Sequence, residues 1–145
     1  MRRFDLIENL GYQVHVVDAV IDEILTERDT LHRLIDDGKI STLSLEGVTL
    51  SDTVAALLSL GLGNGEAFCF AAAVKLGASL AIDDRRAIKR AQPVAPDVNI
   101  VTSCDIVVAN IRANQLTIAG ADAIKTEWAE HHQFRLKFAS FTDLV

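Results

Sequence analysis

Residues Gly61–Ala91 read GLGNGEAFCFAAAVKLGASLAIDDRRAIKRA, and this stretch decides the predicted fold. A glycine-rich turn precedes Glu66, which opens an almost entirely apolar helix that Gly77 ends. A short apolar strand follows and runs directly into Asp83 and Asp84. Carboxylates at a helix start and at a strand end can converge on one point, and a hard divalent cation needs such a group of oxygens. The stretch therefore predicts a metal site.

Composition places the chain among globular proteins. Its 145 residues suffice for one domain, predicted over residues 1–145, and 50% of them are hydrophobic, which argues against disorder. No apolar run approaches the roughly 18 residues of a membrane span. Cys69 and Cys104 form no ligand or disulfide pattern, so we expect a cytoplasmic protein without membrane contact. The net charge of −6 disfavours nonspecific coating of nucleic acid but allows an enzyme with a local basic rim.

The order of the predicted elements indicates an α/β protein. A β-branched strand over Val14–Val17 leads into a helix from Asp18 to Leu25. Ser79–Ile82 and Val98–Val101 fit buried parallel strands, and a helix over Arg85–Ala91 connects them. The remaining predicted elements are helices over Arg2–Leu10, Asp29–Asp37, Ser51–Leu60, Glu66–Leu76, Ile106–Ile111 and Ala121–His132, and an edge strand over Phe134–Phe141.

Each candidate carboxylate also has a simpler structural interpretation. A glutamate in the first turn, such as Glu66, is stabilised by the helix dipole by about 0.3 to 1 kcal/mol. One aspartate caps the helix that starts at Arg85, although a pair leaves the second aspartate unexplained. Glu23, on an amphipathic helix, is by itself best read as a solvated surface residue. Together, Glu23, Glu66 and the Asp83–Asp84 pair provide ligands that suit one or two Mg²⁺ or Mn²⁺ ions and hydrolysis at phosphorus.

Polar residues flank this acidic group. The helix that starts beside the aspartates has four cations, which are either a solvated face or a rim that binds an RNA backbone: Arg85, Arg86, Lys89 and Arg90. Thr102 to Asp105 has capping-box spacing, and Ser103 lies there at the carboxyl end of a predicted strand, where sites form in open parallel sheets. Phosphate-loop, dinucleotide and serine-hydrolase motifs are absent from the sequence.

The pattern resembles the PIN-domain family, particularly the VapC-like ribonucleases of toxin–antitoxin pairs. NGEAFCFAAAVKLGASLAIDDRRA is similar to the family's Gly-Glu-Ala helix, alanine-rich core and strand ending in Asp-Asp-Arg-Arg. YQVHVVDAVIDEIL resembles the family's strand and following helix with an acidic residue, which maps onto Glu23. VNIVTSCDIVVANIRANQLT resembles the segment in which a hydroxyl residue, here Ser103 or Thr102, ends a strand and precedes a helix.

The resemblance implies a PIN-like three-layer fold with a central parallel sheet flanked by helices. It implies that Glu23, Glu66 and Asp84 are catalytic metal-site acids, with Asp83 as an additional or alternative ligand. It also implies a Mg²⁺-dependent endoribonuclease (or a Mn²⁺-dependent one) that is dimeric and is held inactive by a small antitoxin protein. Arg85, Arg86 and Ser103 are then the expected contacts to RNA.

One departure from the family separates two functional classes. PIN domains open with a strand that ends in an aspartate, whereas this sequence begins with what resembles the helix after that strand. If the true start lies upstream, the protein is an active nuclease. If the strand is absent, the chain is a catalytically impaired PIN-like scaffold that binds a protein partner. A metal-dependent phosphatase of another α/β fold is a third, more distant alternative.

Overall fold

The computed structural model describes residues 3–44 and 51–145, with the side chain of Ser51 left out. It contains helices and short parallel strands, which confirms the predicted mixed α/β class. In chain order the helices and strands are α1 (Asp5–Glu8), β1 (Val14–Val17), α2 (Asp18–Glu23), α3 (Arg28–Asp36), β2 (Ile40–Leu43), α4 (Ser51–Ser59), α5 (Asn64–Leu76), β3 (Leu80–Ala81), α6 (Arg85–Ala91), β4 (Ile100–Val101), α7 (Ser103–Arg112) and α8 (Ile118–His131), with a 3₁₀ helix at Phe141–Leu144.

The internal contacts divide the chain into two compact units. The central unit is Gln13–Val101, and the terminal unit combines Met1–Tyr12 with Thr102–Val145. The sequence-based prediction of one domain over residues 1–145 stays a prediction beside this division. None of the helices within residues 3–44 and 51–145 has both the length and the apolar character that crossing a membrane requires.

The described strands form two separate two-stranded parallel sheets, where the sequence predicted one central sheet. In the first, β1 pairs with β2 from Val14 opposite Ile40 to Val17 opposite Leu43. In the second, β3 pairs with β4, with Leu80 opposite Ile100. Both sheets belong to the central unit. The pairing of β3 with β4 confirms the predicted parallel strands on either side of α6, whereas β2 was not predicted.

Helix α5 lies in the core of the central unit, and its small alanine side chains allow close packing there. Phe70 and Leu57 are buried to within 2% exposure, and α5 packs against α2 and α4 and also contacts both β1 and β3. Small side chains at Ala67, Ala71 and Ala72 let these neighbours approach the helix closely. Burial of a phenylalanine side chain stabilises such a core by about 1.5 to 3 kcal/mol. The helix is not buried throughout, because side chains in its last turns are exposed.

The predicted boundaries of α5 are close to the observed ones. Gly77 adopts φ +61° and ends the helix in the left-handed conformation, as predicted. The start differs, because Asn64 and Gly65 belong to the first turn of the helix and Gly63 is its N-cap. The sequence predicts a turn at these residues, because a glycine-rich composition alone does not distinguish a turn from a helix start.

The terminal unit has a separate core around α7, α8 and the 3₁₀ helix. Leu6 of α1 packs there with Val107, Trp128 and Phe141. The buried Asn110 donates hydrogen bonds from Nδ2 to the carbonyl oxygens of Leu6, at 2.7 Å, and Ile106, at 2.9 Å. Helix α1 is shorter than the predicted Arg2–Leu10 helix, and Arg2 lies outside the described residues.

The predicted edge strand over Phe134–Phe141 is wrong. This segment has irregular structure and enters the 3₁₀ helix at Phe141. Its alternating aromatic residues pack edge to face instead: Phe134 against Trp128 at 5.4 Å between ring centroids, and Phe138 against Phe141 at 4.9 Å. The period of two therefore reflects aromatic packing against α8 and the 3₁₀ helix and not a β-ladder.

Candidate functional site

Glu66 lies in the first turn of α5, where the sequence predicts it. Its Oε2 accepts a hydrogen bond from the backbone N–H of Gly63 at 3.0 Å, so the carboxylate closes the start of the helix. The side chain is half-buried. A negative charge at this end is favoured by the helix dipole. Glu66 therefore has the simpler structural role, which is to stabilise the helix start, and its hydrogen bond to Gly63 fixes the position of the carboxylate.

Glu23 reaches the same helix end from α2. It is the last residue of α2, and its Oε1 accepts a hydrogen bond from the backbone N–H of Gly65 at 2.9 Å. The two partners are 42 positions apart in the sequence. Glu23 is exposed, as its helix alone predicts, and its carboxylate also contacts the backbone of the candidate site.

This contact depends on the missing side chain of Gly65. A β-carbon at Gly65 would overlap Glu23 Oε2 and would lie 2.9 Å from Glu23 Cδ. Gly65 is itself buried, so its N–H can be approached by the carboxylate at close range. Glycine is thus required here by a close approach of a side chain to the backbone.

The two glutamates act electrostatically on one thiol, that of Cys69 in α5. The pKa of Cys69 is raised to about 11, first by burial and then by the negative charges of Glu23 and Glu66. Both carboxylates are therefore near the same point on α5. The raised pKa keeps the thiol protonated at neutral pH, which makes it a poor nucleophile and a poor metal ligand.

Asp84 is fixed by the start of α6. Its Oδ1 accepts hydrogen bonds from the backbone N–H groups of Arg86, at 2.8 Å, and Ala87, at 3.0 Å. The N–H of Ala87, followed by that of Arg86, holds the pKa of the exposed Asp84 carboxyl below its usual value. Asp84 is the predicted helix cap and stays ionised at neutral pH. Asp83 is half-buried between the end of β3 and this cap.

The four cations of α6 are exposed, and one of them is anchored. Arg90 donates from Nη1 to the carbonyl oxygen of Gly61 at 3.1 Å, which joins α6 to the turn before α5. Charges on Arg86 and Arg90 also contribute to the lowered pKa of Asp84. Arg90 lies in the last turn of α6, so this bond connects the end of α6 to the turn before α5, while Arg85 and Arg86 remain exposed.

Ser103 belongs to the terminal unit and is the first residue of α7. The capping box predicted around it is confirmed: Thr102 Oγ1 accepts from the N–H of Asp105 at 3.2 Å, and Asp105 Oδ2 accepts from the N–H of Thr102 at 2.8 Å. Ser103 itself is half-buried at the start of the helix. Its proposed contact with RNA stays a prediction.

The described residues bring together two predicted metal ligands rather than a complete set. Within residues 3–44 and 51–145, no three His, Cys, Asp or Glu side chains are grouped closely enough to hold a metal ion. Glu23 and Glu66 both accept hydrogen bonds from backbone N–H groups at the start of α5, and Asp84 lies at the start of α6. In chemical type these donors fit Mg²⁺ or Mn²⁺, because carboxylate oxygens are the ligands that such hard cations prefer.

The sequence interpretation missed Gly65 and Arg90 as parts of this site. Gly65 follows Gly61 and Gly63 in one short segment, so its particular role is hidden among turn glycines. The sequence places Arg90 among four cations of α6 that are either a solvated face or an RNA-binding rim, and it does not indicate the contact with Gly61. Glycine is unfavourable within a helix, so Gly65 in the first turn of a buried helix is the signal that points to a close approach to the backbone.

Comparison with protein-family models, with curated proteins and with solved structures gave no significant match to this chain.

Proposed function

We propose that this protein is a Mg²⁺-dependent endoribonuclease of the toxin–antitoxin type. The observation that supports it most is the meeting of two carboxylates from distant parts of the chain at one helix start. Glu23 binds the N–H of Gly65, and Glu66 binds that of Gly63. A helix that needed one acidic cap would be served by Glu66 alone, so the second carboxylate is consistent with a role beyond capping.

In this proposal Glu23 and Glu66 hold the metal ion, with Asp84 as the third acid and Asp83 as an additional or alternative ligand. The carboxylates of Glu23 and Glu66 each use one oxygen for a backbone N–H and have a second oxygen that is available to a cation. When bound, Mg²⁺ or Mn²⁺ would activate water and stabilise the charge on phosphoryl oxygens.

The substrate contacts follow from the charges on α6. The exposed Arg85 and Arg86 would bind phosphates of the RNA backbone beside Asp84. Because the whole chain has a net charge of −6, such binding would be confined to this local group of cations. Ser103 is proposed as a further hydroxyl contact. A PIN-like arrangement, a homodimer and inhibition by a small antitoxin protein complete the proposal.

RNA cleavage tests it with variants that change charge and leave shape intact. Glu23→Gln and Glu66→Gln keep an amide oxygen that can accept the backbone hydrogen bonds, so the fold should survive. The intact protein should cleave single-stranded RNA with Mg²⁺ or Mn²⁺, and EDTA or either substitution should abolish cleavage. Glu130→Gln, on an exposed position of α8, is the matched control. Cleavage that EDTA and both variants leave unchanged would refute the proposal.

A catalytically impaired PIN-like scaffold that binds a protein partner is the second candidate. One observation favours it: Glu23, Glu66 and Asp84 each accept backbone hydrogen bonds, so each has a structural role without any metal. This candidate predicts no metal-dependent cleavage together with a stable complex with an antitoxin-type protein. The same complex should form with the Glu23→Gln and Glu66→Gln variants.

A further inference from the structure

A second site lies at the other end of strand β3 from Asp83 and Asp84. A cavity of about 340 Å³ is bounded by the last turns of α5, the start of β3 and the segment that precedes β4. All of its lining residues belong to the central unit. Ligand sites in proteins begin at about 300 Å³, so this cavity suits a small molecule.

The wall of the cavity is apolar over much of its area. Ala73 and Val74 come from α5, and Val94, Pro96 and Val98 come from the segment before β4. Val74 is 46% exposed, so an apolar side chain at the rim faces solvent. Contact with the apolar part of a ligand would remove this surface from water, which is favourable.

The charged group of the cavity is acidic. Asp97 lines it, and within residues 3–44 and 51–145 its side chain forms no hydrogen bond or ion pair. The wall also contains Gly77, the C-cap of the 13-residue helix α5, where the helix dipole is negative. The cation of this turn, Lys75, is not a lining residue. Both charge features therefore favour a positive ligand.

Two neutral polar groups lie at the start of the strands. Asn99 Nδ2 donates to Ser79 Oγ at 2.8 Å, and both residues line the cavity. Their mutual hydrogen bond links the segments that enter β3 and β4. The hydroxyl proton of Ser79 and the side-chain amide oxygen Oδ1 of Asn99 remain available for a ligand, and this Oδ1 can accept a hydrogen bond from an ammonium group.

We propose that this cavity binds a small organic cation, with its apolar body against Val74 and Val98 and its charged group beside Asp97. The site is separate from the proposed nuclease site, and its occupation does not depend on that proposal. The class of ligand is a primary ammonium or guanidinium compound with a short hydrocarbon chain.

Three probes of matched chain length test the charge preference: hexylammonium, hexan-1-ol and hexanoate. Titration of the full ¹⁵N-labelled chain, followed by amide chemical shifts, should show saturable binding of hexylammonium at Ser79, Asp97 and Asn99. The cation should bind up to about fivefold more tightly than the alcohol, the upper limit for one solvent-accessible ion pair. Hexanoate should bind more weakly than the alcohol.

Substitutions then separate charge from cavity shape. Asp97→Asn should reduce the preference for the cation over the alcohol, whereas Asp37→Asn, outside the cavity lining, should retain it. Val74→Trp changes an exposed position and should weaken all three probes by filling the cavity. Equal binding of the three probes would overturn the proposal. So would an unchanged preference in Asp97→Asn, or shifts confined to amides outside the cavity.

Discussion

The backbone N–H of Gly65 donates a hydrogen bond to Glu23 Oε1 at 2.9 Å. This bond joins the end of α2 to the start of α5, and it brings the carboxylate of Glu23 to the helix turn that contains Glu66. A β-carbon at Gly65 would occupy the space of that carboxylate. The missing side chain at Gly65 therefore allows Glu23 to bind the same helix turn that contains Glu66.

The substitution Gly65→Ala should displace Glu23 without unfolding the protein. The clash involves the end of a flexible side chain, and alanine is favoured over glycine within a helix by up to about 1 kcal/mol. We expect a melting temperature close to that of the unsubstituted protein and a loss of the metal-dependent RNA cleavage proposed above. The loss should be comparable to that of Glu23→Gln.

Gly63→Ala is the matched control for this experiment. A β-carbon at Gly63 would lie 3.7 Å from Glu66 Oε2, which is an ordinary van der Waals contact. This variant should keep its cleavage activity. If Gly65→Ala were as active as Gly63→Ala, the contact between Glu23 and Gly65 would not contribute to RNA cleavage.

Asp84 should show separate structural and chemical roles. Asparagine is as good a helix cap as aspartate, so Asp84→Asn should keep the thermal stability that Asp84→Ala loses. Both variants should lose cleavage, because both remove the charge. Equal melting temperatures for the two variants would show that the cap on α6 does not stabilise the fold.

The lowered pKa of Asp84 also predicts the direction of a pH effect. Its folded pKa lies below the unfolded value, so the contribution of Asp84 to stability is present above pH 4 and is lost as the pH falls through the folded pKa. Acid unfolding of Asp84→Asn should lack this component. Superimposable acid-unfolding curves for the two proteins would contradict the cap geometry.

Much of this local structure can be predicted from the sequence, because it depends on interactions between residues that are close in the sequence. The Asp84 cap, the stop at Gly77 and the box at Thr102 and Asp105 each depend on residues within a few positions of one another. The contact of Glu23 with Gly65 spans 42 positions, and no local pattern encodes it. The resemblance implies that Glu23 is a metal-site residue, which stays a prediction, and its exposed side chain agrees with the solvated residue that its own helix indicates.

The errors in the predicted strands have a similar physical origin. Strand β2 has two polar residues, Ser41 and Thr42, in its four-residue run, and it forms through pairing with a strand more than twenty positions away. Phe134 and Phe138 alternate as strand residues do, but the nearest aromatic surfaces are provided by Trp128 and Phe141. Tertiary packing decided both cases.

Cys69 should be unreactive at neutral pH. With a pKa of about 11, the thiolate is scarce at pH 7, and alkylation by iodoacetamide should accelerate until the pH approaches that value. Because the folded pKa exceeds the usual 9.0, the associated stability is present below pH 9 and is lost as the pH rises through 11.

The combined Glu23→Gln and Glu66→Gln variant should ionise Cys69 at a lower pH. The shift should be partial, because burial is the largest cause of the raised pKa. Peptide mass spectrometry assigns the alkylated cysteine. An identical pH profile in the double variant would show that the two carboxylates do not meet near Cys69.

Asn110, which is buried in the terminal unit, should not tolerate substitution by a charged residue. Its Nδ2 faces two carbonyl oxygens, and its buried Oδ1 has no hydrogen-bond partner in the part of the chain that the structure describes. Asn110→Asp would place carboxylate oxygens against the carbonyls and should lower the free energy of unfolding by about 3 to 5 kcal/mol. Asn110→Ala should cost about 1 to 3 kcal/mol. Urea unfolding measures both, and an aspartate variant at least as stable as the alanine variant would contradict this packing.

Binding of Mn²⁺ to the full chain is the most direct test of the central claim that Glu23 and Glu66 form a cation site. Electron paramagnetic resonance follows the signal of free Mn²⁺ as protein is added. We predict saturable binding, weakened about tenfold or more by Glu23→Gln and by Glu66→Gln, a change of about 1.4 kcal/mol, and unaffected by Glu130→Gln. Absence of binding, or equal affinity in the combined Glu23→Gln and Glu66→Gln variant, would contradict the claim.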